Sequence, residues 1–246
     1  MAARLERCVV VGASSGIGEA IVRRLAEEGA QVAAIARRRE RLDELAAQSG
    51  GKVRAYAHDV EETDEVPALW ERIVADLGGV DTLIYAAGVM PELEEGEFTF
   101  EKDRQMIAVN VVGAMAWMNL AAARFEAARG GTVVGISSIA GERGRRGNPA
   151  YCTSKAAMTT YLESLRNRCS RYGVNVVTVK PGFVDTAMTA GRGKLLWMIS
   201  ADDAARRALA LARKGTSASG FVPGRWALVA FVVRALPSRV FRRLNF

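Results

Sequence analysis

The 246-residue sequence holds a single histidine, His58, and three cysteines, Cys8, Cys152 and Cys169, without a CxxC pair. One imidazole cannot form a histidine metal cluster, so no metal site is expected. It also leaves proton transfer to other side chains. His58 is expected at a strand end in a structural role. The cysteine spacing carries no disulfide framework and fits small packing residues in a reducing cytoplasm. Cys152 has no histidine near it in sequence to activate it as a nucleophile. No apolar run approaches the ~20 residues that span a bilayer. Strand formers begin a few residues from Met1, which predicts no signal peptide. Helix-turn-helix, RNP and zinc-finger patterns are absent, so the net charge of +7 is not read as a nucleic-acid surface. It leaves anionic ligands or an anionic membrane face as partners.

What is present is a tyrosine and a lysine four residues apart, Tyr151 and Lys155, with Ser138 thirteen residues before the tyrosine. On a helix, that spacing projects phenol and ammonium from one face. A free tyrosine has a pKa of about 10 and is a poor base at neutral pH. A nearby lysine cation favours the phenolate and brings proton exchange toward neutrality. Ser138 adds a hydroxyl that can steady a substrate oxygen. Near the start of the chain, Cys8-Val9-Val10-Val11 runs into GASSGIG, Gly12 to Gly18, and then into a helical pattern at Ile17, Ala20, Ile21 and Leu25. Strand, Gly-rich turn and helix form the layout of a dinucleotide-binding unit. Gly12 suits the tight turn. Gly16 and Gly18 let backbone N–H groups and the positive helix end close on a pyrophosphate. The spacing is GxxxGxG, not the commoner GxGxxG.

Strand and helix patterns alternate, which predicts an α/β fold, a Rossmann-type doubly wound parallel seven-stranded sheet with helices on both faces. Predicted strands are Cys8–Val11, Gln31–Ala36, Val53–Ala57, Thr82–Tyr85, Thr132–Ser137, Asn175–Lys180 and a short one near Gly220–Val222. Predicted helices are Gly16–Glu28, Arg38–Gln48, Thr63–Leu77, Phe100–Arg129, Ala150–Arg171 and Ala201–Lys214. Residues 1–224 are read as one catalytic domain, with 225–246 as a basic, apolar extension of it.

With these motifs in family order, the chain resembles the short-chain dehydrogenase/reductase family from about residue 5 to about residue 190. The resemblance rests on GASSGIG, Asp59-Val60, Asn110 in IAVNVVGA, ISSIAG, YCTSK and KPGFVDT. It implies hydride transfer between a nicotinamide and a carbonyl or secondary alcohol. Tyr151 is then the acid/base, Lys155 its tuner and a ribose ligand, and Ser138 the binder of the reacting oxygen. Asn110 would hold a water in a relay with Lys155. Ser14, Ser15, Ile17, Asp59, Val60, Ala87, Gly88, Pro181, Gly182, Val184 and Thr186 join the three glycines around the cofactor, with Thr186 at the nicotinamide end. Homodimers or homotetramers are expected through the apolar helix faces. One departure stands out: where the family carries NNAG, this chain has Tyr85-Ala86-Ala87-Gly88, which removes two amide side chains. The same fold also serves nucleotide-binding regulators without turnover; the intact Asn110, Ser138, Tyr151 and Lys155 argue for an enzyme.

The second strand ends at Ala36, where an NAD-binding protein tends to carry an acid for the ribose 2′-hydroxyl. Here Arg37-Arg38-Arg39 follow. Arginine binds a 2′-phosphate with paired N–H groups, so NADP(H) is expected, with Arg37 the main contact and Ser14 and Ser15 assisting. Arg38, Arg39 and Arg41 read as a solvated helix start.

Two segments bear on the substrate. Glu142-Arg143-Gly144-Arg145-Arg146 lies between Ser138 and Tyr151, either as a receptor for a phosphate or carboxylate or as an exposed basic loop. Lys194-Leu195-Leu196-Trp197-Met198-Ile199 falls in the family's lid region and is unusually apolar. The ISSIAGERGRR stretch, the basic and apolar tail and the ALPSRVFRRL ending resemble membrane-linked keto-reductases such as decaprenylphosphoryl-2-keto-ribose reductases. That implies a lipid-linked or amphiphilic ketone; a small soluble ketone, sugar or polyol is the alternative. In 225–246, arginines flank the run Trp226 to Val233 and Pro237 breaks the helix. The run is too short to cross a bilayer. It fits peripheral contact with the inner membrane face, or packing on the core or across an oligomer contact.

Overall fold

Strand β1 (Arg7–Val11) shows why the sheet is central. Its residues alternate between two apolar layers, Cys8 and Val10 toward one and Val9 and Val11 toward the other, and all four are fully buried. A strand covered on both faces reads as an unbroken apolar run and belongs to a parallel sheet. The computed structural model describes residues 3, 5–94, 96–191 and 195–244. Lys194 of the apolar 194–199 segment and Phe246 of the tail lie outside the described residues.

The chain continues through α1 (Gly16–Glu27), β2 (Gln31–Ala36), α2 (Arg39–Ala47), β3 (Val53–Ala57), α3 (Val66–Leu77) and β4 (Thr82–Tyr85). Then come α4 (Phe100–Ile107), α5 (Gly113–Ala128), β5 (Gly131–Ile136), α6 (Pro149–Cys169) and β6 (Val174–Pro181). The short strands β7 (Val184–Asp185) and β8 (Ile199–Ser200) pair with each other, followed by α7 (Ala201–Ala212), β9 (Ala218–Val222), α8 (Trp226–Ala235) and α9 (Ser238–Phe241). The seven-stranded sheet is parallel, in the order β3-β2-β1-β4-β5-β6-β9. Helices α1, α2 and α7 cover one face; α3, α5 and α6 cover the other. The order reverses between β1 and β4, and that switch point opens a crevice at the carboxyl ends of the strands.

All seven predicted strands are present, with ends shifted by two residues at most. The predicted helix Phe100–Arg129 differs. A π-turn at Ala108–Val112 splits it into α4 and α5, with Asn110 at its centre. Such turns insert a residue without changing the apolar pattern on either side, and they recur at functional sites. The helix predicted from Thr63 begins as a 3-10 turn, Thr63–Glu65, and becomes α-helical at Val66. By length and composition alone, Phe100–Ala128 could cross a membrane, but 56% of its most apolar window is buried inside the protein. It is a core helix.

The tail is tied down at both ends of α8. Trp226 is buried, and its indole lies where a side chain at Gly182 would stand: a Cβ there would fall 1.9 Å from Trp226 Nε1. Edge-on contacts join the same indole to Phe183 and Trp197, with ring centroids 5.6 and 5.5 Å apart. At the other end of α8, Arg143 donates to the carbonyls of Val233 and Leu236 at 2.6 and 2.5 Å. Its guanidinium lies 4.1 Å from the Phe241 ring centroid. Buried Glu142 pairs with Lys180 at 2.7 Å and with Arg234 at 3.1 Å. Arg143 is therefore a helix cap for the tail and not the anion receptor considered from sequence.

Candidate active site

The Gly-rich turn is built on close backbone approach. Gly12 has φ +90° and Gly16 has φ +58°, conformations that favour glycine. A Cβ on Gly12 would lie 2.4 Å from the Ala87 nitrogen, and one on Gly18 would lie 2.1 Å from the Gly12 oxygen. Helix α1 therefore starts against the turn, with its positive end at the crevice. Ser15 caps α1 by position, but its side chain makes no capping bond. Its hydroxyl instead accepts from Arg38 Nη2 at 2.7 Å, and the Ser14 hydroxyl accepts from the same nitrogen at 2.8 Å.

Arg38 is exposed and stands at the N-cap of α2, as the sequence suggests, but its side chain is not free. It folds across both serines at the rim where the adenosine end of a dinucleotide would lie. Arg37 also borders the crevice, but its guanidinium faces Asp59, 3.7 Å away. The structure provides two cations at this rim, and Arg38 is the one joined to Ser14 and Ser15.

At the opposite end, Asn148 caps α6 by accepting the Tyr151 N–H at 3.0 Å, and Pro149 follows at the first helical position. This start places Tyr151 in the first turn and Lys155 one turn further on. Lys155 is 4% exposed, its Nζ donates to the Ile136 carbonyl at 3.0 Å, and it lies 5.7 Å from the Tyr151 ring centroid. Burial pushes the Lys155 pKa down to about 8. The Ser138 hydroxyl, at the end of β5, accepts from the Ala140 N–H at 3.1 Å. The neighbouring Ser137 hydroxyl donates to the Lys155 carbonyl at 2.9 Å and so ties β5 to α6. Sequence reading passed over Ser137, which sets the distance between the serine and tyrosine elements.

Asn110 is fully buried in the π-turn. Its side chain accepts from the Val89 N–H at 2.8 Å and donates to the Val89 carbonyl and to the Ser154 hydroxyl, both at 3.0 Å. The amide implied as a water holder is therefore engaged in clamping the segment after β4. Gly88 fills the meeting point: a Cβ there would lie 3.3 Å from both Asn110 Oδ1 and Lys155 Nζ. Tyr85, first of the unusual Tyr-Ala-Ala-Gly tetrad, turns into the core and donates to the Val109 carbonyl at 2.6 Å, inside the π-turn. Ala86 and Ala87 line the crevice without side-chain amides.

Apart from Asn110, every site residue named from sequence borders one cleft of about 440 Å³. Beyond them the cleft is lined by Met90 and Met188, which carry no motif, and by Arg145 of the basic segment considered from sequence. Arg145 Nε is buried and has no hydrogen-bond partner among the described residues. His58 is buried just after β3, edge-on to Trp117 at 5.8 Å between ring centroids, and also reaches the cleft wall.

The low Lys155 pKa has a testable sign. Its folded value lies below the ordinary lysine value, so the folded chain carries the cost of a buried cation fully below pH about 8 and sheds it as pH rises toward about 10.5. Lys155→Met removes this cost. Urea unfolding of both proteins without ligand at pH 7 and pH 10 is expected to show the variant relatively more stable at pH 7. That advantage shrinks by up to about 3 kcal/mol at the higher pH. A pH-independent difference would contradict the assignment.

A doubly wound parallel sheet with a Gly-rich β1–α1 turn and a Ser-Tyr-Lys cluster beside its switch point defines a dinucleotide-binding oxidoreductase scaffold. The chain belongs to the short chain dehydrogenase family, whose pattern matches residues 6–195. It is similar to nodulation protein G of Rhizobium sp. (strain N33), 35% identical over 186 residues, which are 74% of this chain and 75% of that protein. An uncharacterized oxidoreductase of Mycobacterium tuberculosis is 29% identical over 246 residues, spanning 97% of this chain and 96% of its own length. The solved structure of ElxO with NADP bound shares the fold, with a TM-score of 0.79 at 21% identity, covering 89% of this chain and 98% of that one.

Proposed function

We propose that the protein is an NADP(H)-dependent oxidoreductase that interconverts a carbonyl and a secondary alcohol, with Tyr151 as its acid/base. The observation that carries this reading is the convergence of Ser138, Tyr151 and buried Lys155 on the cleft that the Gly-rich turn opens. The residues suit a dinucleotide. Backbone at Gly12 and Gly18 leaves no room for a Cβ, the α1 N-terminus faces the cleft, and Arg37 and Arg38 stand at the rim. When bound, the cofactor supplies the hydride. In reduction, the Ser138 hydroxyl donates to the carbonyl oxygen and fixes it. Tyr151 gives its phenolic proton to that oxygen as the C–O bond becomes an alkoxide. The Lys155 cation stabilises the phenolate that remains. In oxidation each proton moves back.

Support for the phosphate-bearing cofactor comes from Ala36, where an acid would repel a phosphate, and from the Arg38 fork over Ser14 and Ser15. Arg38→Ala is expected to raise the Kd for NADPH by roughly tenfold to a hundredfold, from charge-assisted bonds worth about 1.5–3 kcal/mol, and to leave NADH binding unchanged. Arg37→Asp should move preference toward NADH. Fluorescence titration of each variant with both cofactors checks this, and equal weakening of NADPH and NADH would contradict it.

For the substrate, the apolar wall of Met90 and Met188 and the Arg145 Nε, without a partner among the described residues, support an amphiphilic ketone with an anionic group.

A further inference from the structure

Helix α8 is apolar on both faces, and the protein covers only one. Trp226 and Ala230 are buried on the inner stripe. On the outer stripe, Leu228 and Phe231 are each 68% exposed and Val232 is 48% exposed. These positions follow helical spacing, so they form one continuous face. Past Pro237, Val240 and Leu244 extend the apolar surface, 46% and 37% exposed. A helix that is apolar all round belongs where both faces are covered.

Charge identifies what covers the second face. No aspartate or glutamate follows Asp203, and 225–246 carries five arginines. Glu142 engages Arg234, while Arg239, Arg242 and Arg243 stand exposed along the tail. Arg225, also exposed, lies over Trp197 at 4.9 Å from its ring centroid. We infer that the outer face of α8, together with α9 and its arginines, docks on an anionic lipid bilayer. Such a surface offers phosphate to the arginines and an apolar layer beneath for Leu228, Phe231 and Val232. A second copy joined through the same face would set tail arginines against tail arginines with no tail carboxylate to pair them. Ten helical residues are too few to cross, so the helix lies along the surface.

The dock is rigid and sits beside the cleft. Arg143 and Glu142 hold one end of α8, and Trp226 packs on Gly182 and Phe183, both cleft residues, at the other. Trp197, stacked edge-on to Trp226, brings exposed Leu196 and Met198 to the same end. Docking therefore places the cleft loops near the lipid surface. Delivery of an amphiphilic ketone from that surface rests on the redox reading above; docking itself does not.

The test is co-sedimentation of the full chain with phosphatidylcholine vesicles, with and without phosphatidylglycerol. The parent protein is expected to pellet with the anionic vesicles at low salt, to release at high salt and to stay in solution with the neutral ones. Leu228→Asp/Phe231→Asp should lower the bound fraction by roughly tenfold or more, with an unchanged circular dichroism spectrum. Should that variant misfold, Arg239→Glu/Arg242→Glu/Arg243→Glu, at exposed positions past Pro237, decides in its place and should lose binding to anionic vesicles. A parent that never pellets, or a folded variant that pellets like the parent, overturns the inference. So does a parent oligomer that the double variant splits without any vesicle binding, which would assign the face to a second copy.

Discussion

Tyr151→Phe is expected to lower turnover of a ketone by roughly a thousandfold, within the range of about 10² to 10⁴ for a lost general acid, while cofactor affinity stays within about twofold. The ring keeps its packing, because the substitution removes only the hydroxyl from a residue that is 8% exposed and whose backbone N–H stays on the Asn148 cap. What is lost is the proton donor. Lys155 stays in place, with its Nζ on the Ile136 carbonyl, so the variant isolates the loss of the phenol. Steady-state kinetics beside cofactor titration separates the two effects. Turnover near that of the parent would remove Tyr151 from the chemistry. Equal loss of turnover and cofactor affinity would make it a binding residue.

The second large effect belongs to Gly18. In Gly18→Val the first added carbon alone would fall 2.1 Å from the Gly12 oxygen and 2.9 Å from its carbonyl carbon. Both neighbours are backbone, so no rotamer change relieves the clash. Either α1 moves off the turn or the turn opens, and each outcome removes the cradle. Destabilisation of about 3 kcal/mol or more is expected, at the upper end of overpacking costs, with loss of detectable cofactor binding. Denaturant unfolding and dinucleotide titration measure the two consequences. A variant that folds and binds like the parent would show that the turn is not built on contact between Gly12 and Gly18.

The strands were legible because they are buried on both faces. A run such as Val9-Val10-Val11 between turn residues has few other places to go. The catalytic spacing was legible for a similar reason: Tyr151 and Lys155 lie on one helix, where separation in sequence fixes direction. Legibility failed where a choice depended on partners far along the chain. Nothing in Arg37-Arg38-Arg39 tells which guanidinium folds back over Ser14 and Ser15, since all three have the reach. The π-turn at Asn110 adds one residue to a helix and leaves the apolar pattern on each side intact. Arg143 could be read only as an anion receptor or as part of an exposed basic loop, because its partners, the carbonyls of Val233 and Leu236, lie some ninety residues away. In the tail, both faces of α8 are apolar, so periodicity could not say which one the core takes. The structure divides them, giving Trp226 and Ala230 to the core and leaving Leu228 and Phe231 outside.

The most direct test of the central claim is isotope transfer from NADPH deuterated at the nicotinamide C4, incubated with the parent protein and a panel of anionic, amphiphilic and small neutral ketones. The account expects deuterium at the carbinol carbon of at least one product, absent from the Tyr151→Phe reaction over the same time. Tight NADPH binding with no deuterium in any product across the panel would contradict it and would place the chain among nucleotide-binding regulators.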